Sequence, residues 1–212
     1  DIAPLEADRP DTRSNDGRAD PQGGFWIGTM GMDPTQVSGA IYRYYRNEVR
    51  RLFADIRIPN SIAFAPAGDR AYFADTTQGK IMTVALDAAG WPKGAPKVFV
   101  DLTHEGLHPD GSVVDAEGCL WNARWRGGRV ARYSPTGQFL EAVSVGAGRV
   151  VGSGDHLCAR RLVASDRPPD LRSGFLVART QRPIGLNRVA GVLGALVTQN
   201  RRAPLTELWA QR

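Results

Sequence analysis

The chain has 212 residues, including 24 glycines, 14 prolines and two cysteines, Cys119 and Cys158. This length can bury a core, the composition favours an all-β protein of short strands and tight turns, and two cysteines exclude a disulfide framework or a cysteine metal cluster. The net charge of +5 is uneven, because residues 1–150 carry 17 basic and 18 acidic side chains whereas residues 151–212 carry ten arginines and four acidic side chains.

The chain opens on a polar stretch that contains prolines and does not begin with methionine, so we expect a truncation or a domain boundary there. No signal peptide is recognisable, and the longest apolar run, at 189–197, is about half the roughly 18 residues that a membrane span needs. We therefore expect no membrane partner. A buried free thiol is the simplest role for Cys119, and it favours a reducing, cytoplasmic location.

One pattern repeats three times in the first 150 residues. It begins at Asn15, Asn60 and Asp110, which are 45 and then 50 residues apart, and in each copy a glycine follows eight residues later. An aromatic residue and then a small residue come next. Each copy has room for about four short strands, which in the middle copy are predicted at SIAFAP, RAYFADT, KIMTVAL and KVFVDL. Four strands per repeat of roughly 40–50 residues is typical of a β-propeller blade, whereas a β-sandwich would not repeat one pattern.

The repeat predicts where its opening residues lie. The innermost strands of propeller blades line one central channel, so equivalent positions of successive blades meet near its axis. A solvated Asn-Asp-Gly turn would explain the polarity at Asn15 alone, but it would not explain the same register at Asn60 and Asp110. We therefore favour three ligands of one cation.

The residue types indicate which chemistry such a site could support. Amide and carboxylate oxygens are hard ligands that suit Ca²⁺, Mg²⁺ or Mn²⁺. Asp110 brings the formal charge that would anchor a metal, and it could also take a proton from water. Arg13 has five hydrogen-bond donors that suit substrate oxygens. Asp16 either closes a turn or holds Arg13, and the turn is slightly favoured.

Other polar groups are weaker candidates. His104 and His108 are better explained as residues of a surface loop, and Asp33 could approach the channel. The stretch RWRGGR at 124–129 fits an anion site and a solvated turn equally well.

Residues 151–212 break the pattern, because every basic residue in them is arginine and only two residues are aromatic. A basic segment can bind nucleic acid, but this one contains no recognisable nucleic-acid motif. We therefore expect no nucleic-acid partner.

Three motifs that occur in order closely resemble the gluconolactonase/regucalcin (senescence marker protein) family, and most nearly its bacterial sugar-lactonase branch: RSNDGRADPQGGFWIGTMG, IPNSIAFAPAGDRAYFADT and PDGSVVDAEGCLWNARWRGGRVARYSPTG. The resemblance covers roughly residues 5–150. It implies a six-bladed β-propeller that hydrolyses a small-molecule sugar (aldono-) lactone, such as gluconolactone, xylonolactone or arabinonolactone. It also implies one divalent metal ion, Ca or alternatively Zn, Mn, Mg or Fe.

The same resemblance assigns roles to residues. Asn60 and Asp110 match metal ligands, and Asp110 also matches the catalytic base. Arg13 and Asn15 match substrate-binding positions, which revises Asn15 from a metal ligand to a substrate contact in the same cavity.

The chain departs from the family pattern at both ends. The family's first metal ligand is a Glu in a GEGP-like motif on an N-terminal strand, and this chain has no such motif. The blade pattern stops near residue 150, as a frameshift would cause. We therefore expect propeller blades over residues 1–150, an atypical basic segment over 151–212 that does not form a blade, and an incomplete propeller. A complete one would be a monomer.

Two alternatives to a sugar lactonase remain, namely a non-enzymatic calcium-binding propeller and an inactive fragment. The Arg13-Ser14-Asn15 triplet favours the lactonase over the first, because a protein that only binds metal needs no substrate-binding guanidinium beside its site.

Overall fold

The computed structural model describes residues 2–144, which form three four-stranded antiparallel sheets. Each sheet consists of four consecutive strands, and each strand pairs only with its neighbours in sequence. The all-β prediction and the predicted four-stranded blades are therefore confirmed for this part of the chain. The boundary at residue 150 and the expectation about residues 151–212 lie outside the described residues.

The twelve strands follow one another with short connections. The first sheet contains β1 Thr12–Ala19, β2 Phe25–Gly31, β3 Gly39–Tyr45 and β4 Glu48–Ile56. The second contains β5 Pro59–Phe64, β6 Arg70–Asp75, β7 Lys80–Leu86 and β8 Pro92–Asp101. The third contains β9 His108–Val114, β10 Leu120–Trp125, β11 Arg129–Tyr133 and β12 Phe139–Ser144. Single turns of 3-10 helix at Thr76–Gln78 and Thr103–Glu105 connect the second sheet internally and to the third.

The strands of the middle blade lie close to their predicted positions. β7 coincides with KIMTVAL, whereas β8 begins at Pro92 instead of Lys97. Proline lacks the N–H that a ladder needs, yet it is tolerated as the first residue of an outer strand. The strand therefore extends further back than its apolar residues indicated.

Five hairpin turns share one design, which explains the glycine of the repeat. In each, a glycine with φ between +73° and +87° donates its N–H to the carbonyl of the residue three positions earlier; these glycines are Gly23, Gly68, Gly90, Gly118 and Gly137. Glycine adopts positive φ without steric cost. In four of the turns the first residue also accepts two main-chain N–H groups through its side chain; these residues are Asp20, Asp87, Asp115 and Ser134.

The core consists of two apolar clusters, one on each side of the second sheet. The cluster toward the first sheet contains Trp26, Ile41, Ile56, Ile62, Ala71, Phe73, Val84 and Leu86. The cluster toward the third contains Ala63, Tyr72, Ala74, Ile81, Val100, Leu102, Leu120, Ala131 and Tyr133. Along β6, Phe73 belongs to the first cluster and its neighbours Tyr72 and Ala74 to the second, as the period of two in a strand requires. The sheets therefore pack face to face like successive blades.

The first strand of each sheet lies beside the first strand of the next, since β1 contacts β5 and β5 contacts β9. We call β1, β5 and β9 the inner strands. Within residues 2–144, the model contains no helix with the length and apolarity needed to cross a membrane.

Candidate functional site

β-Bulges interrupt all three inner strands next to the residues that the repeat singled out. In β1, Asn15 and Asp16 together stand opposite a single residue of β2. In β9, Asp110 and Gly111 likewise stand opposite a single residue of β10. A bulge rotates a side chain away from its regular direction, and bulges are frequent next to active sites. The repeat therefore marks the irregular positions of the inner strands.

In β5 the bulge begins directly after Asn60 and consists of Ser61 and Ile62. Ser61 has φ of +60°, which lies in the left-handed region that favours glycine. Its hydroxyl donates a hydrogen bond to the main-chain carbonyl of Asp110 in β9. The strained residue thus joins the bulge after Asn60 to the bulge that contains Asp110.

Asn60 presents an amide oxygen that has no hydrogen bond within residues 2–144. The side chain is 5% exposed, and its Nδ2 donates to Thr76 Oγ1 at 3.0 Å. That hydroxyl donates in turn to the carbonyl of Pro109 at 2.8 Å, which fixes the orientation of the amide. Oδ1 is buried and lacks a partner among the described residues. A hard cation fits such an atom, because an amide oxygen is a ligand that Ca²⁺ and related ions accept.

Asp110 lies next to Asn60 on the neighbouring inner strand and is 3% exposed. Its main-chain carbonyl accepts from Ser61 and also, at 3.2 Å, from Asn122 Nδ2. These contacts hold the main chain of Asp110 independently of its carboxylate. The structure therefore brings a buried carboxylate and a buried amide onto adjacent strands.

Asn15 and Arg13 lie on the third inner strand and are less buried. Asn15 Nδ2 donates to the carbonyl of Pro59, directly before Asn60, at 2.9 Å. Arg13 is exposed, and its Nη1 lies 3.4 Å from Asn15 Oδ1 and 3.0 Å from the carbonyl of Ser14. All four predicted site residues are therefore on the inner strands, with the charged guanidinium on the solvent side.

The interpretation of Asp16 as a turn residue or a partner of Arg13 is wrong. Asp16 lies within β1, is buried, and accepts the N–H of Ile62 at 2.8 Å through Oδ2. Burial raises the pKa of its carboxyl, and the charge of Arg18 opposes that rise. Asn-Asp-Gly is a common turn sequence, but here the same residues form a bulge inside a strand.

Sequence reasoning missed three polar residues behind the site, namely Ser61, Ser112 and Asn122. Asn122 is fully buried on β10, and its Nδ2 lies 2.9 Å from Ser61 Oγ and 2.8 Å from Ser112 Oγ. Arg124, also fully buried, donates to Asn122 Oδ1 and to the Tyr133 hydroxyl. An asparagine inside the apolar stretch around Leu120 was the available signal, but its partners lie on other strands.

A group of two acidic residues and a cysteine in the third blade has a structural role. Oxygen and sulfur atoms of Asp115, Glu117 and Cys119 lie within 4.8 Å of one another. Arg132 contacts Asp115 at 2.8 Å and Glu117 at 2.6 Å, while Asp115 also accepts the turn N–H groups of Glu117 and Cys119. Cys119 is buried as predicted, and burial raises the pKa of its thiol.

The remaining candidates lie at the surface. His104 is in the 3-10 turn Thr103–Glu105, as expected of a surface loop, whereas His108 is instead the exposed first residue of β9, and its Nδ1 lies 3.2 Å from the carbonyl of Thr76. Asp33 is exposed, and the N–H and hydroxyl groups of Thr35 hold its carboxylate and lower its pKa.

Known proteins similar to this chain share both its sequence pattern and its fold. The sequence model of one protein family, the SMP-30/gluconolactonase/LRE-like region, matches residues 2–152. A protein of Rhizobium meliloti (strain 1021), provisionally named sugar lactone lactonase, is 43% identical over 147 residues, which are 69% of this chain and 50% of that protein. The L-arabinolactonase of Azospirillum brasilense is 37% identical over 148 residues, which are 68% of this chain and 49% of that protein.

A solved structure shares the fold of this chain. The crystal structure of regucalcin, a calcium-binding protein from Agrobacterium tumefaciens strain C58, matches with a TM-score of 0.65 and 49% identity, over 66% of this chain and 48% of that one. The chain thus spans about half the length of each of these three relatives.

Proposed function

The chain belongs to the SMP-30/gluconolactonase/LRE-like family, and on that premise we propose that the full-length protein hydrolyses sugar lactones with one divalent metal ion. The relatives named as a sugar lactone lactonase and an L-arabinolactonase support the reaction class. The relative described as a calcium-binding protein supports a divalent ion.

The observation that carries the proposal is the buried Oδ1 of Asn60, which lacks a hydrogen-bond partner within residues 2–144 and lies beside buried Asp110. We assign these two residues as metal ligands and call them the candidate metal site. An amide and a carboxylate favour Ca²⁺, with Mg²⁺, Mn²⁺, Fe²⁺ and Zn²⁺ as alternatives. When bound, such an ion polarises a carbonyl and lowers the pKa of water.

The other roles follow from charge and exposure. Asp110 has two carboxylate oxygens, so it can contribute a ligand and also accept a proton from water. Arg13 is exposed and permanently charged, and it would bind the oxygens of the lactone. Asn15 is half-buried between Arg13 and the strand that carries Asn60, so it would orient the same substrate. A cytoplasmic location and a monomeric state stay predictions.

The test is hydrolysis by the full-length protein after removal of metal with a chelator and addition of Ca²⁺, Mg²⁺, Mn²⁺, Fe²⁺ or Zn²⁺ one at a time. Acid release is followed for gluconolactone, xylonolactone and arabinonolactone. We expect activity that disappears on chelation and returns with at least one ion. Metal binding without hydrolysis of any lactone would favour the non-enzymatic calcium-binding alternative, and activity that survives complete chelation would overturn the metal dependence.

A further inference from the structure

Asp16 and Arg18, which point from β1 toward β5, contact the two main-chain groups of one residue. Asp16 Oδ2 accepts the N–H of Ile62 at 2.8 Å, and Arg18 Nε donates to the carbonyl of the same residue at 2.6 Å. Ile62 is the second residue of the β5 bulge, where the register with β6 is interrupted. The two side chains therefore provide hydrogen bonds to the main chain of Ile62 at the point where the regular pairing of β5 with β6 is interrupted.

Arg18 also reaches the third inner strand. Its Nη2 donates to the carbonyl of Ser112 at 2.8 Å, directly after the bulge formed by Asp110 and Gly111. Ser112 Oγ donates to Ser61 Oγ at 3.1 Å, which connects the same two bulges a second time. One side chain of β1 thus links the main chains that follow Asn60 and Asp110.

The sequence Asp16-Gly17-Arg18 suits this contact between the inner strands. Asp16 and Arg18 are two residues apart in a strand, and the glycine between them leaves little space, since a Cβ on Gly17 would lie 3.0 Å from both the Phe25 ring and the Trp26 carbonyl. Burial raises the pKa of the Asp16 carboxyl and lowers the pKa of the Arg18 guanidinium, so placing both charges here costs free energy. Hydrogen bonds to main-chain groups that the bulge leaves unpaired offset that cost.

We propose that Asp16 and Arg18 are positioning residues of the candidate metal site, which hold the β5 bulge directly after Asn60 and the β9 bulge that contains Asp110. The proposal rests on the proposed function for the identity of that site. It assigns neither residue a contact with metal or substrate. Outer partners of metal ligands typically contribute about 10–100-fold to affinity or activity.

The test compares graded substitutions in the full-length protein: Asp16→Asn, Asp16→Ala, Arg18→Lys and Arg18→Met. Calorimetry with Ca²⁺ and Mn²⁺ gives the metal Kd, and lactone hydrolysis gives kcat and KM. We expect Asp16→Ala and Arg18→Met to weaken metal binding and lower kcat by about 10–100-fold with little change in KM. Asp16→Asn keeps an acceptor, and Arg18→Lys keeps a charged donor group without the fork that reaches two carbonyls. Asp16→Asn should therefore retain more function than Asp16→Ala, and Arg18→Lys more than Arg18→Met.

A buried Asp–Arg ion pair in the same blade provides the control. Asp20 and Arg43 form an ion pair at 2.6 Å at the turn end of the sheet. Their other side-chain contacts within residues 2–144 are to the N–H groups of Gln22 and Gly24 and to the rings of Tyr45 and Trp91, none of which belongs to an inner-strand bulge. Asp20→Asn should lower the melting temperature while leaving metal Kd and kcat unchanged. This separates positioning of the site from loss of global stability.

The outcomes decide between the two proposals. If wild-type protein binds metal and Asp16→Ala and Arg18→Met keep Kd and kcat within twofold, the positioning role is wrong. The same holds if Asp20→Asn weakens metal binding as much as they do. Should Asp16→Ala and Arg18→Met fail to fold, the metal Kd and kcat of Asp16→Asn and Arg18→Lys decide instead. Weaker binding and lower kcat than in wild type support the positioning role, and values within twofold of wild type contradict it. Wild-type protein that binds metal without hydrolysing lactones contradicts only the proposed function, since Kd still tests positioning. Wild-type protein that binds no metal overturns both.

Discussion

A buried polar atom without a hydrogen bond costs a folded protein about 1–3 kcal/mol, and Asn60 Oδ1 is such an atom among the described residues. The amide nitrogen of Asn60 donates to the Thr76 hydroxyl, which itself donates to the carbonyl of Pro109. If the amide turned its oxygen toward Thr76, that hydroxyl would have to give up its bond to Pro109. A cation shared with Asp110 would remove the cost.

Charge at Asp110 gives the sharpest test at the scale of one residue. Asp110→Asn keeps the shape of the side chain and the main-chain contacts to Ser61 and Asn122, but it removes the negative charge. We expect metal affinity to fall and turnover to drop about 10²–10⁴-fold, as loss of a general base typically causes. Calorimetry and lactone hydrolysis in the full-length protein measure both effects. Unchanged Kd and kcat would exclude Asp110 from the site.

Arg13→Ala tests the substrate side of the same site. Arg13 is exposed, and within residues 2–144 its guanidinium donates to Ser14 and Asn15, so its loss should leave the metal site and the fold intact. We expect a higher KM with unchanged metal Kd. Measurement of KM for two lactones of different ring substitution checks this, and weakened metal binding in Arg13→Ala would contradict the division of roles.

The repeat makes the proposed site residues visible in the sequence, and their roles stay predictions. Asn15, Asn60 and Asp110 recur in register, and the structure places all three on inner strands, Asn15 and Asp110 within bulges and Asn60 directly before one. The role of Asp16 was not predictable, because the same letters form a turn in most contexts and a bulge only when a neighbouring strand offers an N–H. Asn122 was missed for a similar reason, since its partners are distant in sequence.

At the scale of strands and turns, the hairpin turns set the strand register, which places Asn15, Asn60 and Asp110 toward one end of the sheets. The glycine of the repeat is predictable from sequence, because its positive φ makes other residues costly. The bulges are not, since they depend on contacts between blades. The length of β8 also escaped prediction, because its first half, from Pro92, is stabilised by pairing with β7 and not by an apolar pattern.

Two equivalent turn glycines separate backbone strain from steric clash. Gly23 and Gly137 both have φ of +87°, but a Cβ on Gly23 meets nothing within 4 Å, whereas a Cβ on Gly137 would lie 2.4 Å from the Phe99 carbonyl of the neighbouring blade. Gly23→Ala should cost about 1–2 kcal/mol of unfolding free energy from strain alone. Gly137→Ala should cost more. Denaturant unfolding of the full-length protein measures both, and equal losses would show that the blades adjust to the extra methyl.

At the scale of the molecule, blades are joined by polar contacts as well as by apolar faces. Arg43 of the first blade pairs with Asp20, and its guanidinium lies 4.4 Å from the ring centroid of Trp91, in a turn of the second blade. Gln22 donates to the carbonyl of Gly68, in another turn of the second blade, at 2.7 Å, and Arg70 of the second blade donates to the carbonyl of Pro135, in a turn of the third, at 3.1 Å. Separate sheets therefore behave as one structure, and a ligand held between two of them should stabilise the whole.

Metal binding should accordingly raise the melting temperature of the full-length protein. The proposed ligands Asn60 and Asp110 belong to the second and third sheets, so an ion bound by both favours the folded state by about 2.7 kcal/mol at a concentration of 100 times Kd. Differential scanning calorimetry with chelator and then with excess Ca²⁺ or Mn²⁺ measures the shift. Asp110→Asn should abolish it. Asp20→Asn should lower the melting temperature in chelator, because it weakens a buried ion pair, yet preserve the increase on adding metal. An increase of equal size in Asp110→Asn would mean that the ion binds elsewhere.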